Sequence, residues 1–368
     1  MKKSVVIFFS AFLFFLCEQT LHADIADKNK LMPVSLPSLA HSVRFPDPVY
    51  FCGSKVPLEV QDVRERLEKE MLLALWDRAQ VVLWFKRSTK YFLHMEKILK
   101  SSGLPEDLKY VSVIESGLRP HAGSARGAVG FWQFLRSTGR QYGLKVNSKC
   151  DDRRNLFLST EAACRYFQML YQKFNDWPLA LAGYNMGEQR LASEIELQNT
   201  HDYYSLYLSL ETQRYVLKAV AAKLIMENPE KYGFVFLKED YYPLLEFDRV
   251  KINSPALIPV AVIAQSAQTS FKMIKDMNPE IRGAYLADGK TSIIVPRGSA
   301  GLFKKKFPSL LEKWRASHVK RFHVVSEGDS LTAIARRYKV SLASLLMWNN
   351  LSIKSRIYPG DRILIRGE

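Results

Sequence analysis

A chain of 368 residues, 47% hydrophobic and 24% charged, is long enough for two or more ordinary domains, so a single compact core is not expected. Its 53 Lys and Arg against 37 Asp and Glu leave a formal charge of +16, which favours a polyanionic partner such as nucleic acid, anionic lipid or a carboxylate-rich wall polymer. The 4 cysteines show no CxxC or Cys/His spacing, so neither a metal site nor a full disulfide framework is indicated, and no cofactor is expected.

The chain opens with Lys2 and Lys3 and an apolar run from Val5 to Leu16. That run falls short of the roughly 20 apolar residues of a spanning helix and has the form of a secretory signal peptide over residues 1–23, with Leu21-His22-Ala23 before the cut. Export to the periplasm or cell envelope follows. Cys17 stands where a bacterial lipoprotein carries its lipidated cysteine, a route to outer-membrane attachment, although Leu16 is bulky for that signal. Residues 24–59 hold Pro33, Pro37, Pro46, Pro48 and Pro57 without a clear hydrophobic period and read as a Pro-rich tether.

From Val60, the residues Val63, Leu67, Met71, Leu72 and Leu75 recur at spacings of three and four, the pattern of an amphipathic helix running toward Leu99. Helical patterns continue to about Glu230, which makes 60–235 a mainly α domain. Within it, Pro105 opens a short helix and Gly117 ends it, so Glu115 falls in the last turn. Glu115 borders the apolar stripe of Leu108, Val111 and Ile114. Desolvation there raises a carboxyl group from about 4.3 toward neutrality, and the negative end of the helix acts in the same direction. A carboxylic acid that keeps its proton at working pH is what general acid catalysis requires.

The C-terminal part repeats itself at an offset of 71 residues, with Ile263, Ala264, Ser270, Ile274 and Asn278 facing Ile334, Ala335, Ser341, Leu345 and Asn349. In the second copy, residues 322–366, a strand at His323–Val325 leads to a helix capped by Ser330, a second helix from Ser341, and a Pro359-Gly360 turn into the strand Arg362–Ile365. The first copy, residues 250–297, follows the same βααβ plan. Lys304, Lys305, Lys306, Lys313, Arg315, Lys320 and Arg321 make residues 298–321 a basic linker with a solvated face.

Three blocks then carry a resemblance: Glu115-Ser116, then Ser124 with Gly127-Ala128-Val129-Gly130-Phe131-Trp132-Gln133, then Ala182-Gly183-Tyr184-Asn185. In this order they resemble the soluble-lytic-transglycosylase catalytic domain, and the likeness continues through Asn155-Leu156 and Glu211-Thr212-Gln213-Arg214-Tyr215-Val216. The departures are Gly183 where the family usually has Ala, and Met186 in place of a small residue. The resemblance implies a lysozyme-like fold and cleavage, without water, of the β-1,4 bond between N-acetylmuramic acid and N-acetylglucosamine, leaving a 1,6-anhydro sugar. It further implies Glu115 as acid and then base. Ser124 and Tyr184 would hold the substrate's N-acetyl group, and Gln133 and Asn185 would bond sugar or position the loop. Phe131 and Trp132 offer packing or sugar stacking, and Ser116 a turn contact.

The 322–366 unit resembles the LysM domain through Gly328-Asp329-Ser330-Leu331, Asn349-Asn350 and Pro359-Gly360-Asp361. That resemblance implies binding of N-acetylglucosamine chains between the loop after the first strand and the loop before the last. The first copy lacks the Gly-Asp-Ser-Leu block, having Leu257–Val260 there, and reads as degenerate. The expected architecture is thus α+β and multidomain, a lysozyme-like helical domain followed by two LysM-type modules, acting on peptidoglycan glycan strands and not on nucleic acid, for which no motif appears. Two alternatives stay open on the residues alone. One is a hydrolase in which Asp151 or Asp152 approaches Glu115, and the other is a wall-binding protein without turnover.

Overall fold

The computed structural model describes residues 37–287, 289–317 and 322–365; the expected signal segment with Cys17 lies outside them. In chain order a single helical turn at Leu39–Ser42 precedes the hairpin β1 (Val49–Phe51) and β2 (Ser54–Val56). Helices α1 (Gln61–Trp76), α2 (Arg78–Ser101), α3 (Lys109–Ser116), α4 (Arg136–Gln141), α5 (Leu156–Phe174), α6 (Trp177–Met186), α7 (Glu188–Gln198) and α8 (Leu210–Glu227) follow. The remainder is β3 (Phe247–Ser254), β4 (Ile258–Pro259), α9 (Val260–Ser266), α10 (Phe271–Met277), β5 (Tyr285–Leu286), β6 (Gly289–Pro296), α11 (Ala300–Ser317), β7 (Phe322–Val324), α12 (Leu331–Arg337), α13 (Leu342–Asn349) and β8 (Arg362–Leu364). Contacts divide the described chain into two compact units, one of residues 37–135 with 156–244 and one of 136–155 with 245–365.

In the first unit α8 is the central helix, packed by α1, α3 and α6. Its run Ala219, Val220, Ala221, Ala222 is buried, and such small side chains let neighbouring helices approach closely. The stretch from Val60 to Leu99 forms two helices where the periodicity implied one. Asp77 interrupts it with a non-helical backbone (φ −87°, ψ 59°) and then caps α2, its Oδ1 accepting from the Gln80 amide at 3.1 Å. The tether reading fails over its second half. Val49, Phe51, Val56 and Leu58 are buried, with Val49 paired to Val56 across the hairpin, and the Cys52 amide donates to Asp107 Oδ2 at 2.7 Å. An alternating apolar pattern over so few residues is easily hidden by the surrounding prolines.

In the second unit, β3 pairs antiparallel with β6 from Phe247 opposite Pro296 to Ser254 opposite Gly289, and β7 pairs with β8 from Phe322 opposite Leu364 to Val324 opposite Arg362. Each pair is joined through two short helices, so both copies have the expected βααβ order. The repeat extends to hydrogen bonds. Asn278 Nδ2 donates to the carbonyls of Ile274 and Ile294 at 2.8 Å, and its Oδ1 accepts from the Ile294 amide at 2.8 Å. Asn349 does the same with Leu345 and Leu364 at 2.7–2.8 Å. One carboxamide satisfies three backbone groups and fastens the second helix to the last strand. The basic-linker expectation is corrected over 300–317. This stretch is a helix whose Phe303 and Leu311 enter the core of the 247–296 module, with Phe307, Leu310 and Trp314 packed beside them. The spacing of these five residues is helical; the lysines occupy the opposite face and dominated the reading.

Candidate active site

Glu115 lies where expected, in the last turn of α3, which Gly117 closes in the left-handed region (φ 58°) with its amide on Val113 O at 2.8 Å. The carbonyls at the C-terminal end of this helix are bound by two arginines: Arg87 Nη1 donates to Gly117 O and Arg119 Nε to Ser116 O, both at 2.9 Å. A β-carbon on Gly117 would come within 2.5 Å of Gln80 Nε2. Replacing Gly117 with Ala therefore combines the left-handed backbone cost with a displaced Gln80, and we expect about 1–2 kcal/mol lower stability in urea unfolding.

The Glu115 carboxyl is half-buried. Burial raises it to about 7; nearby Glu211 acts the same way, while the Tyr215 hydroxyl and Lys218 oppose. Tyr215 Oη donates to Glu115 Oε1 at 2.5 Å from α8, 100 residues away in sequence. Burial and the adjacent Glu115 push Tyr215 well above its ordinary range, so it remains a protonated donor. The sequence reading gave Tyr215 no role. Its only signal was a place in the Glu211–Val216 block, on the helix face one turn from Glu211. Replacing Tyr215 with Phe should raise the Glu115 pKa further, because the bond favours the charged form, and lower kcat about 10–100-fold. The check is the pH profile: its alkaline limb moves to higher pH, which simple destabilisation of the fold would not produce.

Ser116 is buried, with Oγ 2.8 Å from Phe131 O and 2.9 Å from Ser112 O, so the hydroxyl staples α3 to the glycine-rich loop. Gln133 sits in that loop with φ 49°, and its Nε2 donates to Gly130 O at 2.8 Å and Ala122 O at 3.2 Å. Both bonds run to carbonyls of the loop's own backbone. Ser124 is exposed at the loop tip, its Oγ accepting from the Ala128 amide at 3.1 Å. Trp132 and Phe131 are 0% and 1% exposed, so sugar stacking is excluded for both. The Trp132 indole donates to Thr160 Oγ1 at 3.0 Å, and Phe131 meets Tyr91 edge-on.

Tyr184 comes from α6, stacks on Phe167 at 4.6 Å and donates from its hydroxyl to Trp132 O at 2.7 Å. It lies within electrostatic reach of Glu115, which adds to the burial that raises its own pKa. Gly183, the departure from the family pattern, has a packing reason: a β-carbon there would meet Leu170 at 2.9 Å and Phe174 at 3.0 Å on α5. Asn185 Oδ1 accepts from the Thr212 hydroxyl at 2.8 Å, tying α6 to the first turn of α8, three residues before Tyr215. The fold thus brings Glu115, Tyr184 and Tyr215 together, while Gln133 and Asn185 brace the elements that carry them. Asp151 is held by Arg153 through two bonds of 2.8 Å, and Asp152 Oδ2 accepts from the Lys145 amide, so both carboxylates are engaged within the second unit. Among the described residues, no cluster of His, Cys, Asp and Glu could hold a metal ion.

In the 322–365 module, Gly328 has φ 84° and Asp329 Oδ2 takes the Ser326 amide at 2.8 Å and His323 Nε2 at 2.6 Å. Ser330 caps α12 through the Ala333 amide, Leu331 belongs to the core, and Asn350 ends α13 in the left-handed region (φ 55°). Together with Asn349, these residues shape the two loops from within the module. Among the large apolar side chains this module displays to solvent, Met347, Ile353 and Tyr358 are the most exposed.

Residues 93–206 match the Transglycosylase SLT domain and residues 323–366 the LysM domain. Among solved structures, the 70 kDa soluble lytic transglycosylase of Escherichia coli is similar at 16% identity with a TM-score of 0.35, covering 48% of this chain and 32% of that one. An inactive mutant of lytic transglycosylase Slt from Pseudomonas aeruginosa is similar at 20% identity with a TM-score of 0.32, covering 42% and 26%. The chain thus spans about a third or less of those two proteins. Membrane-bound lytic murein transglycosylase D of Escherichia coli strain K12 is 33% identical over 329 residues, 86% of this chain and 72% of that protein. At that identity and coverage, the chain belongs to the membrane-bound lytic murein transglycosylase D family.

Proposed function

We propose that this chain cleaves peptidoglycan glycan strands between N-acetylmuramic acid and N-acetylglucosamine, with Glu115 as the only catalytic carboxyl group. It is a lyase that acts on the wall and carries a LysM domain for binding it. Protonated Glu115 gives its proton to the glycosidic oxygen while the carbonyl oxygen of the substrate's N-acetyl group attacks the anomeric carbon, releasing the N-acetylglucosamine side. The Glu115 carboxylate then takes the proton of the 6-hydroxyl, whose oxygen displaces the N-acetyl oxygen and closes the 1,6-anhydro ring. Tyr184 and Ser124 are proposed to hold the N-acetyl group, and Gln133 and Asn185 to keep loop and helix in place. Tyr215 orients Glu115 and restrains its pKa. The glycan contact of the C-terminal module is assigned to the loops around Gly328–Leu331 and Asn349–Asn350. The cell envelope is the site of action, with attachment through a lipidated Cys17.

The observation that carries the proposal is a carboxyl group raised to about 7 with a tyrosine donor on one oxygen, an acid poised to give and retrieve one proton near neutrality. Digestion of purified peptidoglycan followed by mass spectrometry of the muropeptides tests it. Anhydro ends, lighter by one water than hydrolysed ends, are expected from the wild type and should vanish with Glu115→Gln; hydrated reducing ends would overturn it.

A further inference from the structure

The two βααβ modules have cores of one pattern and the same asparagine fastening, yet differ at the edge where a glycan would lie. In the C-terminal module, among the described residues, no backbone hydrogen bond joins the loop Gly328–Leu331 to the stretch 350–357. In the 247–296 module the equivalent loops are sewn together. β4 pairs antiparallel with β5, Ile258 opposite Leu286 and Pro259 opposite Tyr285, and the Val260 amide donates to Ala284 O at 2.9 Å. Pro259 stands at the position of the Ser330 cap and offers no side-chain cap. The edge between those loops is therefore filled by the module's own backbone.

The outer side of the same loop is occupied as well. The Asp151 amide donates to Glu280 O and the Arg282 amide to Lys149 O, both at 2.9 Å, so that Cys150 lies directly opposite Ile281 in an antiparallel bridge. Lys275 anchors the loop from behind by donating to the carbonyls of Ile281 and Gly283. Glu280 is buried, and its carboxyl is bonded by Asn155 at the far end of the same 136–155 segment. In sequence this segment lies between the loop that holds Gln133 and the first residue of α5.

We infer that the 247–296 module is a brace and not a glycan binder: its groove edge is closed by the β4–β5 pairing, and its outer loop holds the segment Arg136–Asn155. Of the two modules, the C-terminal one then carries wall binding of the LysM kind. The inference is independent of the role assigned to Glu115.

The test uses the full chain with Ile281→Cys. Cys150 and position 281 form a non-hydrogen-bonded antiparallel pair, whose Cα atoms lie about 4.5 Å apart, within the span of a disulfide. Mild oxidation with diamide should convert nearly all of the protein to the form cross-linked at Cys150, seen as a linked tryptic peptide. The cross-linked enzyme should digest peptidoglycan within twofold of the reduced rate. Hydrogen exchange of the wild type, which does not depend on the variant folding, should show slow exchange at the Asp151 and Arg282 amides. Added chitohexaose should protect the loops of the C-terminal module and leave 254–286 unchanged. Absence of cross-linking in a folded variant, rapid exchange at those two amides, a loss of activity on cross-linking that reductant reverses, or protection of 254–286 by chitohexaose would each overturn the inference.

Discussion

Replacing Glu115 with Gln is expected to lower the rate of peptidoglycan cleavage by about 10⁴-fold, the upper range for a general acid–base group, because in the proposed mechanism the same carboxyl serves both proton transfers. Substrate binding should change little, since Gln keeps the shape of the site and can still accept from Tyr215. In the wild type, kcat/KM should fall as pH rises above about 7, where Glu115 loses the proton it must donate.

The same substitution should stabilise the protein, and the pH dependence gives the sign. The folded-state value of about 7 lies above the ordinary 4.5, so ionised Glu115 disfavours the folded state. That penalty is absent below pH 4.5, grows between the two values, and is complete above 7. It amounts to about 2–3 kcal/mol after allowance for the partly solvated edge. Urea unfolding of Glu115→Gln against wild type should therefore show little difference at pH 4 and a gain of that size at pH 8. An equal gain at both pH values would show that Glu115 is not desolvated as described.

Replacing Asn349 with Ala is expected to unfold the C-terminal module and abolish retention on insoluble peptidoglycan. The Leu364 amide and carbonyl, bonded to Asn349 at 2.7 Å, would lose their partner, as would the additional bond to Leu345 O at 2.8 Å. At up to about 1–3 kcal/mol for each of these part-buried groups left unsatisfied, the loss is comparable to the few kcal/mol that so small a core supplies. Cleavage of short soluble glycan strands should persist, while the rate on dilute insoluble wall falls up to about 100-fold with the loss of local concentration. Retention that survives in a variant whose C-terminal module has unfolded by hydrogen exchange would remove the LysM anchor from the proposed function. The equivalent change, Asn278→Ala, should leave retention intact.

Features set by local chemistry could be read from the residues in order. The spacing of Leu108, Val111 and Ile114, with Pro105 before and Gly117 after, located α3 and put Glu115 in its last turn, because helix period and end-capping act within a few residues. The repeat was legible because each copy needs the same buried positions, Ile263 and Ile334 among them. Other features were local but concealed: the β1–β2 hairpin by its prolines and α11 by its lysines. What only the tertiary structure decided depends on groups far apart in sequence. The donor on Glu115 comes from Tyr215, 100 residues away. Asn185 reaches Thr212, and Trp132 is withdrawn from any sugar by its bond to Thr160. The pairing of Lys149–Asp151 with Glu280–Arg282 uses backbone groups that any side chains would offer, so composition and period carry no trace of it. The sequence therefore singled out Glu115 as the candidate acid, and the packing of distant helices decided what surrounds it and so the pH at which it holds its proton.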